Sequence, residues 1–430
     1  MSQKIRSQKV RSQKVRVAAS LAAAALLATA CSQGSATKAP SGEGGKVTLR
    51  YFTFSAAPDH VKDLDKIEKA FEKENPKVDV VVETAPFDEY FTKLQTSIAG
   101  GTAPDTFELN YENFVTYASA GSLLDLDTVK GDGDPSVYAK ESLEAFKRDG
   151  KQYALPASFS TVVLFYNKDL FDKAGVAPPT ADWTWADEQA AAAKLTDKKK
   201  GVFGDFQPVQ FFEFYKTLKQ AGGEFLSADG KKSAFNSPAG VKAAQWLVSK
   251  VGKTMPTEAE IGGTADYDTN LFKSGKLAMW HNGIWQFAGL KDAAFTWDVV
   301  VEPGESAKAS AVFHNAVAAS SGTKHGKEAW AWARFLSSSN TAATTRVASS
   351  WELPPVADQA VLSGYLKDPK PANRQAVFDS LKSIALPPVI KRQQEMQDAV
   401  TKQLTEAAAG RKPVEEALKT AAAEVDALLG

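Results

Sequence analysis

The densest chemistry in this sequence is the loop Glu108-Leu-Asn-Tyr-Glu-Asn113, where two carboxylates and two amides crowd an aromatic ring just after a strand. Carboxylates and amides accept or donate several hydrogen bonds at once, so a loop of this kind can hold a polar ligand. Bond cleavage between carboxylates needs two of them on opposite sides of the bond. Glu108 and Glu112 sit on one loop and are placed to grip one face. No other catalytic pattern stands up. There is no G-x-S-x-G elbow and no H-E-x-x-H pair, and Gly322-Thr-Lys-His-Gly326-Lys327 has one residue too few between its glycines for a phosphate loop. The four histidines (60, 281, 314, 325) show no ligand spacing. Asp125, Asp127, Asp132 and Asp134 are calcium-like in composition only and read as a solvated loop. The residues point to binding without catalysis, metal or cofactor.

Composition narrows the classes further. The 430 residues balance 51 basic against 51 acidic side chains, but six of the basic ones lie in residues 1–30 with no acid beside them. The remainder holds 45 basic and 51 acidic residues, a net charge of −6, which argues against nucleic acid as a partner. One cysteine excludes an internal disulfide framework. At 43% hydrophobic and 24% charged, the body is an ordinary globular chain, long enough for two domains.

The amino terminus reads as an export signal. The basic stretch ends at Arg16, and the fourteen residues Val17–Ala30 carry no charge. That is too short to span a membrane and right for the apolar core of a signal peptide. Ala28, Thr29 and Ala30 precede Cys31, and the whole resembles a bacterial lipoprotein signal cleaved before a cysteine that becomes lipid-modified. Residues 31–45 are small and polar and read as a flexible tether. The expectation is a signal peptide at 1–30, lipidation at Cys31, a tether at 31–45, and an exported body anchored to the outer face of the cell membrane.

The elements that must position the loop follow from periodicity. Residues 46–54 alternate and are β-branched and aromatic, so they predict a strand. A helix carrying Leu64, Ile67 and Phe71 follows, stopped by Asn75-Pro76. Strand 78–83, helix 88–99 and strand 106–109 complete an alternation that predicts a parallel sheet with crossover helices, hence an α/β fold. Extended segments are predicted at 151–156, 161–166, 295–301 and 310–319, and helices at 327–337, 388–409 and 413–429. Trp246, Trp330 and Trp332 lie on apolar helix faces and belong in the core, while Trp183 and Trp185 flank a helix start capped by Thr184.

Over nearly its full length the body resembles the sugar-binding proteins of bacterial ABC importers, the group that includes maltose-binding protein. The matches run in order: Ala70-Phe-Glu-Lys-Glu-Asn-Pro76, Leu94-Gln-Thr-Ser-Ile-Ala-Gly-Gly-Thr-Ala-Pro-Asp105, Tyr117-Ala-x-x-Gly-x-Leu-x-Asp-Leu126 and Phe165-Tyr-Asn-Lys-Asp-Leu-Phe171. Phe272-Lys-Ser-Gly-Lys-Leu-Ala-Met279, Asn282-Gly-Ile-Trp285 and Gly410-x-x-x-Val-Glu-Glu-Ala-Leu418 follow. The resemblance implies a two-lobed fold, each lobe a sheet flanked by helices, with ligand in the cleft between them. It sets lobe 1 at 46–157 plus 312–355 and lobe 2 at 158–311 plus 356–430. Chain crossings fall near Pro156–Phe159, near Ser310–Phe313 and after Trp351. It implies a monomer that hands a carbohydrate to permease subunits in the membrane.

A sugar presents hydroxyls at its edges and apolar C–H faces, so its pocket needs flat aromatic rings beside paired polar groups. The resemblance assigns hydroxyl bonding to Glu112 and an aromatic platform to Trp285. Glu108 and Asn110 share the first loop, and Trp280 and Asn282 lie near Trp285. Phe54-Ser55 ends the first strand, Phe159-Ser160 and His314-Asn315 follow the crossings, and Trp351-Glu352 could close one side. A polyamine binder and an exported carbohydrate-active enzyme are the competing classes.

Overall fold

The computed structural model describes residues 45–429 apart from 132–134, 139, 265 and 356–358; Cys31, the expected signal and the tether lie outside them, as do Asp132 and Asp134. The alternating first segment forms the strand Val47–Thr53, which pairs in parallel with Val78–Thr84 on one side and Thr106–Asn110 on the other. The helices Pro58–Glu74 and Phe87–Ala99 make the crossovers. Leu64, Ile67 and Phe71 project from the first helix onto Leu49, Tyr51 and Trp332. The predicted parallel start of the sheet is therefore present.

Beyond it the sheet turns antiparallel. Thr106–Asn110 pairs with Ser310–Ala319, which pairs with Ala154–Asn167 and then with Met279–Gly283 through that strand. The sequence predicts two extended segments at 151–156 and 161–166; the structure runs one fourteen-residue strand through both. Pro156 lacks the N–H a regular ladder would use, and the register shifts between Pro156 and Ser158, so a bulge carries the strand past the proline. Residues Phe159 and Leu353 form a further antiparallel bridge, which brings the three expected crossing segments side by side.

Separate cores lie on either side of these long strands. One gathers Phe165, Phe272, Trp280 and Trp297; another gathers Phe214, Leu247, Val400, Leu404 and Leu418. The last two helices, Gln393–Ala408 and Val414–Leu429, supply the latter three. The first starts at Gln393, not at 388, because Pro387 and Pro388 keep the preceding segment extended. Thr184 caps the helix Trp185–Leu195 in a reciprocal box with Asp187, and Trp185 stacks on Trp246 at 4.8 Å, so both indoles are structural. Among the described residues no helix is long and apolar enough to cross a membrane.

Candidate functional site

Strand ends and helix starts converge on a cavity of about 340 Å³. Five rings run along its wall in edge contact. Trp285 meets Phe313 at 5.7 Å, Phe313 meets Phe212 at 5.8 Å, Phe212 meets Phe87 at 6.0 Å, and Phe87 meets Phe54 at 5.3 Å. Trp285 lies in the short turn Ile284–Gln286 and folds back on the end of the strand Met279–Gly283. Its six-membered ring lies over Gly283, so close that no Cβ could stand there. Only glycine permits that approach.

Polar groups stand among the rings. Asn110 caps the helix Tyr111–Ser119 through its Oδ1, and its Nδ2 donates to Glu112 Oε1 at 2.7 Å. Asn315 Nδ2 donates to Glu352 Oε1 at 3.1 Å, and Arg346 meets the other carboxylate oxygen at 3.4 Å. Asp268 Oδ2 accepts from Trp280 Nε1 at 2.9 Å and from Asn282 Nδ2 at 3.3 Å. These donors fix the carboxylate on the cavity wall and leave its other oxygen without either of them.

Nine of the residues expected from the sequence border this cavity: Phe54, Ser55, Asn110, Ser160 and Asn282, then Trp285, Asn315, Trp351 and Glu352. Five do not. Phe159 and His314 are register partners on the opposite face of their strands, with rings 6.2 Å apart. Successive strand residues face opposite ways, so Ser160 and Val162 on one strand and Phe313 and Asn315 on the other point inward. Trp280 is fully buried against Phe165 and Phe272 and orients Asp268. Glu108 lies behind Ser55, accepting hydrogen bonds from Thr53 and Ser55. Glu112 is fully buried with Oε2 unpartnered. Burial pushes both glutamates up to about 7, and at Glu108 the neighbouring Glu352 charge adds to the rise.

Trp351 reaches the cavity without a free face. His60 stacks on one side at 4.6 Å, and the Arg346 guanidinium sits 4.1 Å from the ring centre. His60 itself was missed from the sequence. It borders the cavity, its Nε2 is buried without a partner, and burial holds its pKa near 4, so the ring is neutral at pH 7. Phe87, Phe212 and Phe313 were missed as well. For Phe313 strand parity with Asn315 was the available signal.

Behind the cavity lies a buried ionic network. His281 joins Glu302 at 2.8 Å through Nδ1 and Glu188 at 3.0 Å through Nε2. Lys250 pairs with Glu188 at 2.5 Å and Asp205 at 2.6 Å; Lys216 pairs with Glu213 at 2.6 Å and with Glu302. Carboxylates and a histidine this close could ligate a metal, but the two ammonium groups already pair with the same carboxylates. Burial disfavours a charged His281, yet Glu188, Glu302 and Asp205 outweigh it and hold the imidazolium well above its ordinary pKa. Breaking such a buried pair from one side typically costs about 3–5 kcal/mol. The network thus makes a stiff backing for Glu213 and His281, both on the cavity wall.

The model of a family described as bacterial extracellular solute-binding proteins matches residues 66–373. An ABC substrate-binding protein of Listeria monocytogenes, solved in complex with cycloalternan, is 44% identical, with a TM-score of 0.85 over 89% of this chain and 98% of that one. A solute-binding protein of Thermotoga lettingae bound with α-D-tagatose is 25% identical, with a TM-score of 0.80 over 90% and 100%. The maltodextrin-binding protein of Bacillus subtilis is 25% identical over 273 residues, 63% of each chain.

Proposed function

The chain belongs to the bacterial extracellular solute-binding proteins, and from that premise we propose that its cleft captures a sugar or oligosaccharide and delivers it to the permease of an ABC importer. The observation that carries this is the unbroken run of five aromatic rings beside oriented amides and carboxylates. Rings cover the C–H faces of a sugar while the fixed Asp268, Asn110 and Asn315 take hydroxyls at its edges. Sugar-bound structures among its relatives support the same reading. The fold is that of its two-lobed relatives, and hinge closure about the long strands would bury the ligand. The lobes run 46–157 with 312–355 and 158–311 with 356–430. Packing of the last two helices around Phe214 and Leu247 supports the carboxy-terminal assignment.

The protein works as a binder without turnover, as a monomer, exported and held to the membrane by lipid on Cys31. Of the four acids on the cavity, Glu213 and Glu352 are paired with Lys216 and Arg346. A polycation would find only Asp266 and Asp268 without a cationic partner of that kind, which favours the sugar over a polyamine. A thermal-shift screen of the mature protein against mono- and oligosaccharides, with putrescine and spermidine in parallel, tests this. Saturation at a hundred times Kd adds about 2.7 kcal/mol of stability. A shift with a polyamine and none with any sugar overturns the proposal.

A further inference from the structure

The cleft does not end at the cavity bordered by Trp285. A second cavity of about 390 Å³ opens between the helices Phe87–Ala99, Phe211–Gln220 and Gln393–Ala408. The two share Phe87, Gln210 and Phe212 as common wall. Phe87 and Phe212 meet at 64°, edge against face, with Phe87 39% exposed. A pair in that arrangement is a sill between compartments. Each cavity alone lies near the lower end of the roughly 300–1,000 Å³ usual for small-ligand sites, and the two joined lie well inside that range.

The second compartment carries its own sign of a ligand. Gln397 borders it, is only 6% exposed, and has a buried Nε2 with no hydrogen-bond partner. Buried amide donors are nearly always satisfied, and an unsatisfied one is a net cost to the fold unless something else bonds it. Gln394 donates to Asp398 at 2.9 Å on the same helix face, so an oriented amide and carboxylate stand beside it. Phe91 and Phe211 make the apolar floor. Donor, carboxylate and aromatic floor repeat the chemistry of the first cavity.

We propose that this second cavity is an outer sugar subsite, and that the ligand is an oligosaccharide long enough to cross the Phe87–Phe212 sill. The Gln397 amide donates to an oxygen of the outer ring, and the sill covers the C–H face of the ring that crosses it. The inference rests on the carbohydrate reading above.

Calorimetric titration of the full mature protein tests it, with linear α-glucans and β-mannans of one to four rings and cycloalternan as probes. Affinity is expected to climb with ring number. Gln397→Ala is expected to weaken the longest sugar that binds at least tenfold, leaving the shortest within twofold. Asp398→Ala, which removes an exposed side chain that borders the second cavity alone, is expected to do the same, and ligand-free melts confirm that both variants fold. Equal loss for short and long sugars, or no loss for either, overturns the subsite and leaves the carbohydrate reading standing. Failure of the wild type to bind any probe overturns both.

Discussion

Gly283→Ala isolates the role of Trp285 without deleting a single atom that could touch a ligand. The residue has φ −89° and ψ 162°, ordinary extended backbone that alanine adopts without strain. Its new methyl would fall on the six-membered ring of Trp285, well under the 3.0 Å that real Cβ atoms keep. Ordinary carbon contacts are about 3.5–4.0 Å and the methyl would stand 1.9 Å from the nearest ring carbon, so the indole must swing away by about 1.5 Å or more. A gap of only about 0.5–1 Å already forfeits about a quarter to a half of each contact on the ligand side, so this displacement forfeits at least half. Truncating an aromatic anchor outright costs about 2–4 kcal/mol. The glycine variant should therefore lose at least about 1–2 kcal/mol, roughly 5- to 30-fold or more in Kd, against about 30- to 1,000-fold for Trp285→Ala. Stability falls by up to about 2–3 kcal/mol: overpacking costs about 1–3 kcal/mol, and the stiffer unfolded chain returns about 0.4–1 kcal/mol. The assay is a double-mutant cycle by titration calorimetry with the sugar found by thermal shift. If the glycine acts only through the indole, Gly283→Ala adds nothing on top of Trp285→Ala. Fully additive losses, or wild-type affinity in Gly283→Ala, would refute the assignment of Trp285 as the platform.

Trp280→Ala should behave in the opposite manner: its ring is fully buried against Phe165 and Phe272, so truncation costs about 3–5 kcal/mol of ligand-free stability, read by denaturant unfolding, and an unchanged midpoint would contradict it. Glu112 has a folded pKa raised to about 7 by burial, so its contribution is intact below the unfolded value near 4.5 and is lost as pH rises towards 7 and beyond. Glu112→Gln is thus expected to add up to about 3 kcal/mol at pH 8 and almost nothing at pH 4.5; a gain that does not depend on pH would show that the carboxylate is not the cause. Cys31→Ala should move the protein from the membrane fraction to the soluble exported fraction, and retention of the variant on membranes would rule out the cysteine as the anchor.

What was legible in the sequence was whatever repeats along the chain. Alternation marked the strands at 47–53 and 310–319, and the helical period marked 58–74. The cavity was half legible for a related reason. Neighbouring pairs such as Phe159-Ser160 and His314-Asn315 were offered whole, yet a strand turns adjacent side chains to opposite faces. Parity alone, applied once Asn315 was favoured, would have replaced His314 with Phe313. The helix-borne Phe87 and Phe212 gave no such clue, since each becomes a wall residue only when two distant helices meet across the cleft.

The ionic network was illegible for a deeper reason. His281 and Glu188 are 93 positions apart, and Lys250 and Glu188 are 62 apart. Each charge alone reads as a solvated surface group, which is the ordinary fate of Lys and Glu. Only the fold brings them out of water together, and there each is tolerable because the others are present. That mutual dependence bears on function. His281 sits between Trp280, which holds Asp268, and Asn282, which bonds the same carboxylate. Pinning His281 through both ring nitrogens therefore fixes the strand Met279–Gly283, and with it the glycine on which Trp285 rests. The charges that look least like a sugar site supply the rigidity on which the proposed platform depends.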